Sequence, residues 1–304
     1  MTTERGAPGE RRWLWPSLAA PGLLWLLIFF VTPVYAILAV AMGRLDPIFG
    51  DALPVWNPIQ WDPSTFGSVF QAIFGGRLTE LFLRTIAFVA IASVTTILIG
   101  YPVAYYVSRR AGRWKGLLLL LIVAPFWINY IMRMLAWRNL LDTDGLVNQA
   151  LMGLGLMGEA RNWLAGNPET VILGLVYGYI PFFILPLYAA LDRIDKSVLE
   201  AARDLGASPF WAFVRVTLPL SKHGILAGLV IITLPMFGDY YTPNLMGLGR
   251  SSVRMIGNEI ELFVTSGIGG AEGAALTLVL MTFVAILMLY YLFSVLRAQR
   301  EAAG

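Results

Sequence analysis

The chain has 304 residues, of which 58% are apolar and only 13% charged, where soluble domains are about a quarter charged. That balance, with a mean hydropathy of +0.69, excludes an ordinary soluble fold and points to lipid as the solvent. One histidine and no cysteine exclude disulfide and thiol chemistry and argue against a zinc site, while the net charge of +3 acquires meaning only once its charges are placed along the chain.

A hydrocarbon core of about 30 Å is crossed by about 20 mostly apolar helical residues. Six stretches of that kind follow one another at 20–43, 81–107, 116–138, 170–191, 224–246 and 274–296. Backbone polar groups in lipid have no water to bond, so these stretches read as helices and not as sheet. The first carries a basic flank and Ala39-Val40-Ala41, a possible cleavage site, but its apolar run exceeds the roughly 7–15 residues of a secretion-signal core. It reads as an uncleaved helix. The expectation is an all-α, polytopic membrane protein with six transmembrane helices: an N-terminal tail 1–19, one membrane domain 20–297 and a C-terminal tail 298–304.

Direction follows from the basic residues of the connections. Arg5, Arg11 and Arg12 precede the first stretch; Arg109, Arg110, Arg113 and Lys115 follow the second. Arg193, Lys196, Arg203, Arg215 and Lys222 follow the fourth, and Arg297 and Arg300 close the chain. Fourteen of the 22 basic residues thus fall on one side, which predicts both termini cytoplasmic. The opposite side has two long loops. Residues 44–80 hold Pro47, Pro54, Pro58, Pro63, Trp56 and Trp61, and residues 141–169 hold Asp142, Asp144, Gly145, Glu159 and Trp163. Aromatics in such loops pack at the membrane surface, or else form a docking face for an external protein. Twelve of the 19 acidic residues lie on this outer side against eight basic ones, a tilt toward a cationic solute.

The segment 192–222 between the fourth and fifth stretches has its own grammar. Ser197-Val198-Leu199-Glu200 has capping-box spacing, Gly206 fits a left-handed helix end, and Ser208-Pro209 fits the start of a second helix that Pro219 is expected to stop. A helix, a corner and a helix suit a groove on a partner, with Ala201, Ala202 and Gly206 for close approach and Phe210, Trp211 and Phe213 as bulky anchors. Glu200 acting as a plain cap, with the aromatics buried against the bundle, is the structural alternative.

Glu200-Ala201-Ala202, three residues, Gly206, nine residues, then Val216-x-Leu218-Pro219 is similar to the EAA signature of ATP-binding-cassette importer permeases. Gly100-Tyr101-Pro102-x-Ala104-Tyr105, Ala124-Pro125-Phe126-Trp127-x-Asn129, Gly174-Leu175-Val176-Tyr177 and Leu185-Pro186-Leu187-Tyr188 resemble the first permease subunits of bacterial spermidine/putrescine importers. The resemblance runs over about residues 80–297 and implies a type I importer permease in the inner membrane. Glu200, Ala201, Ala202, Gly206, Pro209, Phe210, Leu218 and Pro219 would form its cytoplasmic coupling helix. It also implies a second homologous permease, two copies of an ATPase subunit carrying ATP and Mg, and an external substrate-binding protein, with membrane lipid around the bundle and no role for nucleic acid. The chain itself has no Gly-x4-Gly-Lys-[Ser/Thr] phosphate loop, so ATP hydrolysis is expected on the partners and no cofactor in this chain. Sulfate, iron and molybdate permeases share the architecture and leave the solute open. An ion-coupled secondary transporter fits less well, since only one deep acid and no repeat are present, and a membrane enzyme lacks clustered His, Asp or Glu.

That deep acid is Asp239. Fifteen helical residues from Gly224 raise it about 22 Å, and Pro235, Gly238 and Pro243 interrupt the helix around it. Charges inside a span are costly and are functional candidates. With Tyr240 and Tyr241 beside it, Asp239 offers an alkyl-ammonium both charge pairing and cation–π attraction; a structural ion pair with Arg133 or Arg138 is the alternative. Trp127, Asn129 and Trp137 on the third stretch and Glu259 and Glu261 outside complete the expected solute path. Arg133 and Arg138 are expected to snorkel to the interface.

Overall fold

In the computed structural model, residues 14–46, 52–266 and 269–303 are described; Arg5, Arg11, Arg12 and Pro47, and with them most of the 1–19 tail, lie outside the described residues. In chain order the elements are α1 (Leu14–Leu26), α2 (Thr32–Ala41), β1 (Arg44–Leu45), β2 (Ala52–Leu53), α3 (Ser64–Gly75), α4 (Thr79–Arg109), α5 (Lys115–Val123) and α6 (Tyr130–Leu140). There follow α7 (Leu146–Gly153), α8 (Pro168–Asp192), α9 (Lys196–Asp204), α10 (Pro209–Ala212), α11 (Leu218–Leu220), α12 (Lys222–Phe237), α13 (Tyr241–Met246), α14 (Ile256–Ser266) and α15 (Gly270–Ala303).

Among the described residues, four helical runs are long and apolar enough to cross a membrane unbroken: Ser17–Ala41, Thr79–Arg109, Pro168–Asp192 and Gly270–Ser294. Two more candidate spans are bent pairs, Gly112–Trp127 with Tyr130–Leu140 at 91° and Pro209–Leu220 with Lys222–Phe237 at 59°. The third apolar stretch is therefore not the single helix that its hydropathy predicts. Pro125 supplies no N–H, the chain becomes extended at Ile128 and Asn129, and the Asn129 side chain accepts the Ile131 N–H at 2.9 Å and caps a new helix. Apolar content is the same on both sides of that corner, so hydropathy is blind to it. The fifth stretch ends at Phe237 and resumes at Tyr241, where the prolines and Gly238 announce a break.

The chain divides into two compact units, residues 1–70 with 263–278, and residues 71–262 with 279–304. In the first unit α1 runs through a π-helical turn, Leu27–Val31, into α2; the wider turn accommodates the Pro33 ring, which clashes with the carbonyl four residues back. Trp25 and Leu26–Val31 are exposed together, as a lipid-facing or partner-facing helix requires. Beyond the two-residue antiparallel ladder of β1 and β2, Tyr35 packs against Trp56 and Trp61 at 6.2 and 5.9 Å between ring centres, and the Trp61 indole donates to Val55 O at 2.7 Å.

The second unit is built on α4, α8 and α12. Phe183 of α8 is fully buried between two glycines: a Cβ at Gly100 of α4 would stand 2.8 Å from its ring, and one at Gly228 of α12 would stand 2.7 Å from the ring and 3.1 Å from its carbonyl oxygen. Small residues let membrane helices approach this closely. Gly228→Leu is expected to cost about 1–3 kcal/mol through overpacking, read as a lower thermal midpoint of the detergent-solubilised protein; an unchanged midpoint would show that this contact is not a packing constraint. At the end of this bundle that carries residues 192–222, Tyr101 and Ser221 hydroxyls bond at 2.9 Å, Arg109 donates to Ile194 O at 2.9 Å and Lys115 pairs with Asp192. In the loop beyond α6, Asn148 is fully buried and bonded to Asp142, Thr143, Arg161 and Trp163.

Candidate functional site

Two places in the second unit collect the candidate residues, an exposed elbow over 192–222 and a cavity around Asp239.

The elbow starts two residues earlier than its capping-box spacing predicts. Asp195 is the cap: its backbone is extended and its carboxylate accepts the Ser197 N–H at 3.0 Å, bonds that hold its carboxyl below the ordinary range. A carboxylate outbids a hydroxyl for helix-end N–H groups, so the Ser197–Glu200 box does not form and Glu200 is left exposed. Gly206 ends α9 at φ +85°. Around it the Gly206 N–H meets Arg203 O at 2.8 Å and the Ala207 N–H meets Ala202 O at 3.0 Å, the paired bonds of a Schellman end. Ser208 then caps α10 with Pro209 at its first position, Ser208 Oγ accepting from Trp211 N at 3.4 Å.

Pro219, expected to stop this second helix, does not. The chain passes through a π turn, Phe213–Thr217, and Pro219 lies inside α11; as at Pro33, the wide turn relieves the clash of the ring with the preceding carbonyls. The break comes at Ser221. The aromatics divide between the two expected roles. Phe213 turns inward, edge-on to Tyr101 and Tyr105 at 5.6 Å, while Phe210 and Trp211 stay 65% and 47% exposed. Leu205, which the sequence reading passed over, is 89% exposed beside Gly206.

The cavity has a volume of about 660 Å³ and lies between the α6 break, α8 and the α12–α13 break. Trp127, Asn129, Asp239, Tyr240 and Tyr241 line it, joined by Tyr130, Tyr179, Phe182 and Arg133. Trp137, Glu259 and Glu261 do not. Trp137 packs on Tyr177 at 5.3 Å, Glu259 pairs with Arg77 at 3.7 Å and Glu261 accepts from Asn244 at 3.4 Å.

Asp239 is 6% exposed and its carboxylate is a junction. Oδ2 accepts from Tyr130 Oη of α6 at 3.0 Å, Tyr179 Oη of α8 at 3.2 Å and Thr242 Oγ1 at 2.6 Å, and Oδ1 accepts the Thr242 N–H at 3.0 Å. One carboxylate thus ties two helices to the start of α13. The turn carrying it is backed by α14. A Cβ at Gly257 would fall 2.7 Å from Gly238 O, and the Asn258 amide donates to Tyr240 O and Asn244 Oδ1, both at 2.9 Å. Tyr130, Tyr179 and Thr242 were missed from sequence; Asp239 and Thr242 at the spacing of a side-chain cap were the visible clue.

Arg133 neither snorkels nor pairs with Asp239. It is 7% exposed, with its guanidinium 3.9 Å from the Phe126 ring centre, 5.5 Å from Tyr130 and 5.8 Å from Tyr177. The 91° corner turns α6 back into the bundle and carries Arg133 inward. With stacked Tyr240 and Tyr241 rings at 4.1 Å and the exposed Trp127, the cavity presents aromatic faces around a buried carboxylate. That arrangement can hold an organic cation. Among the described residues no group of His, Cys, Asp or Glu has the makings of a metal site.

Residues 64–299 match the family described as binding-protein-dependent transport system inner membrane component. The chain is 34% identical over 268 residues to the spermidine/putrescine transport system permease protein PotB of Haemophilus influenzae, covering 88% of this chain and 89% of that protein. It is 34% identical over 212 residues to PotB of Escherichia coli, covering 70% and 76%. A crystal structure of a bacterial alginate ABC transporter in complex with an alginate pentasaccharide-bound periplasmic protein has a chain that superposes with a TM-score of 0.71 at 17% identity over 93% of each chain. A chain of the inward-facing MetNI methionine ABC transporter superposes with a TM-score of 0.52 at 19% identity, covering 73% of this chain and 95% of that one. At such identities these structures speak for the fold alone.

Proposed function

The chain belongs to the binding-protein-dependent transport system inner membrane components, multi-pass permeases of ABC importers, and we propose that within this family it imports a polyamine of the spermidine/putrescine class. The observation that carries the reading is the 34% identity to PotB over 88% of the chain; a buried carboxylate ringed by tyrosines in an aromatic cavity supports it chemically.

In this reading the solute arrives on an external binding protein and passes the cavity at Asp239. The elbow, through Leu205, Phe210 and Trp211, sits in a groove of one of two ATPase subunits, which hold ATP and Mg and perform the hydrolysis. A second homologous permease completes the passage. The basic residues of 192–222 and of both tails support a cytoplasmic position for the elbow and both termini. ATP-driven closure of the ATPase pair moves the elbow and opens the bundle outward, and hydrolysis restores the inward state; nucleotide shifts this equilibrium only by contacting the elbow differently in the two states.

The test is uptake of labelled spermidine and putrescine into polyamine-transport-deficient cells expressing the chain with its companion subunits. Saturable, ATP-dependent uptake competed by unlabelled polyamine is expected. Uptake of sulfate, iron or molybdate in its place refutes the substrate class, and uptake by the purified chain alone refutes the coupling.

A further inference from the structure

We propose that the cavity also accepts a carboxylate, so that its ligands include linear solutes with an ammonium at one end and a carboxylate at the other, with Arg133 as the residue that selects the acidic end. The inference rests on the reading of this cavity as the solute path and goes beyond it in the second end group. Two opposite charges line the cavity, and among the described residues neither has a counter-ion. Asp239 takes all its hydrogen bonds from neutral hydroxyls and a backbone N–H. Arg133 is 7% exposed and its Nε and Nη1 have no hydrogen-bond partner. Tyr130 stands between the two, its ring toward the guanidinium at 5.5 Å and its hydroxyl on Asp239 at 3.0 Å.

Ring faces compensate part of the arginine's charge but accept none of its in-plane donors. A buried guanidinium left with orphaned N–H groups is a costly arrangement that marks a functional place. A diammonium meets Asp239 alone and is repelled by Arg133. A solute of the same length with one ammonium exchanged for a carboxylate meets both charges, and the fork of Arg133 matches carboxylate geometry. The alkyl middle then lies along Tyr130. Phe126 lies over the guanidinium at 3.9 Å in the 3₁₀ turn Ala124–Trp127 and leaves the in-plane N–H groups to a ligand.

An external binding protein would filter solutes before they reach this site, so the test is direct binding to the detergent-solubilised permease assembly without it. Saturation-transfer NMR is recorded with γ-aminobutyrate and with putrescine. Both are expected to bind, and Arg133→Gln is expected to weaken γ-aminobutyrate about tenfold, the loss that removal of one charged hydrogen-bond partner brings. Putrescine, relieved of the repulsion, is expected to bind at least as well as to the parent. Arg133→Lys, which keeps the buried charge but not the planar fork, is expected to fall between the parent and the Gln variant for γ-aminobutyrate and serves where the Gln variant does not fold. Binding of putrescine alone, or an equal effect of both substitutions on the two ligands, overturns the proposal and leaves the polyamine reading standing. Binding of γ-aminobutyrate alone supports it and overturns the polyamine reading; binding of neither overturns both.

Discussion

Asp239→Ala is expected to abolish uptake and to lower the thermal midpoint of the permease, the larger of the two defects being uptake. The carboxylate receives four hydrogen bonds, from Tyr130, Tyr179 and twice from Thr242. Its removal leaves those donors in a site that is 6% exposed, and each orphaned donor costs about 1–3 kcal/mol. The tie between α6, α8 and α13 loosens with them, so Ala alone does not separate architecture from charge. Asp239→Asn does. The amide keeps the shape and an acceptor for the Thr242 N–H, and its NH2 can donate to hydroxyls that turn to accept, so its midpoint is expected to fall less than that of the Ala variant. A cation that draws on the charge loses about 1.5–3 kcal/mol, roughly tenfold to a hundredfold in affinity. Polyamine uptake by the Asn variant at the parent rate would show that the carboxylate is a strut and no part of the solute path.

How much of this was legible in the sequence depends on whether the signal was local. Four unbroken spans follow from apolar length alone, which reports burial in lipid and nothing else. The corner at Ile128–Asn129 interrupts an equally apolar stretch, and only Pro125 and the capping amide of Asn129 betray it. That corner decides the site, because it turns Tyr130 and Arg133 into the cavity; a straight helix read from hydropathy sends Arg133 to the interface. Gly206 and Ser208-Pro209 were readable because backbone conformation and capping are properties of a few adjacent residues. Ser197-Glu200 was misread as a box because Asp195, two residues earlier, is the stronger acceptor. Asp239 stood out as a lone charge among apolar residues, but its partners Tyr130 and Tyr179 lie 109 and 60 positions away, and nothing local announces a contact of that range. The inward course of Phe213, edge-on to Tyr101 and Tyr105, is likewise a contact of long range, more than 100 positions along the chain.

Gly206→Val is expected to cut uptake about tenfold to a hundredfold while leaving the fold and the basal activity of the companion ATPase in place. Gly206 adopts φ +85°, where a β-branched residue is strongly disfavoured and a glycine is not. Nothing lies within 4 Å of the position its Cβ would take. The substitution therefore meets no clash inside the chain, and its cost falls on the corner itself: the Schellman bonds of Gly206 and Ala207 to Arg203 and Ala202 give way, and α9 and α10 change their mutual angle. Leu205 and Phe210, which flank the corner, then no longer present one rigid shape to a groove. Because the core packing of α4, α8 and α12 is remote from the corner, the thermal midpoint is expected to move little. A strain of about 1–3 kcal/mol at a special backbone position suffices to depopulate the docked elbow about tenfold to a hundredfold. Uptake falls by that factor, and ATP hydrolysis by the assembled transporter loses its stimulation by loaded binding protein. Gly206→Asn separates geometry from volume, since asparagine tolerates the left-handed region while carrying a side chain of similar bulk; it is expected to retain most of the uptake. If the Val variant imports at the parent rate, or if Asn and Val fail alike, the elbow does not transmit the work of the ATPase through the shape of this corner.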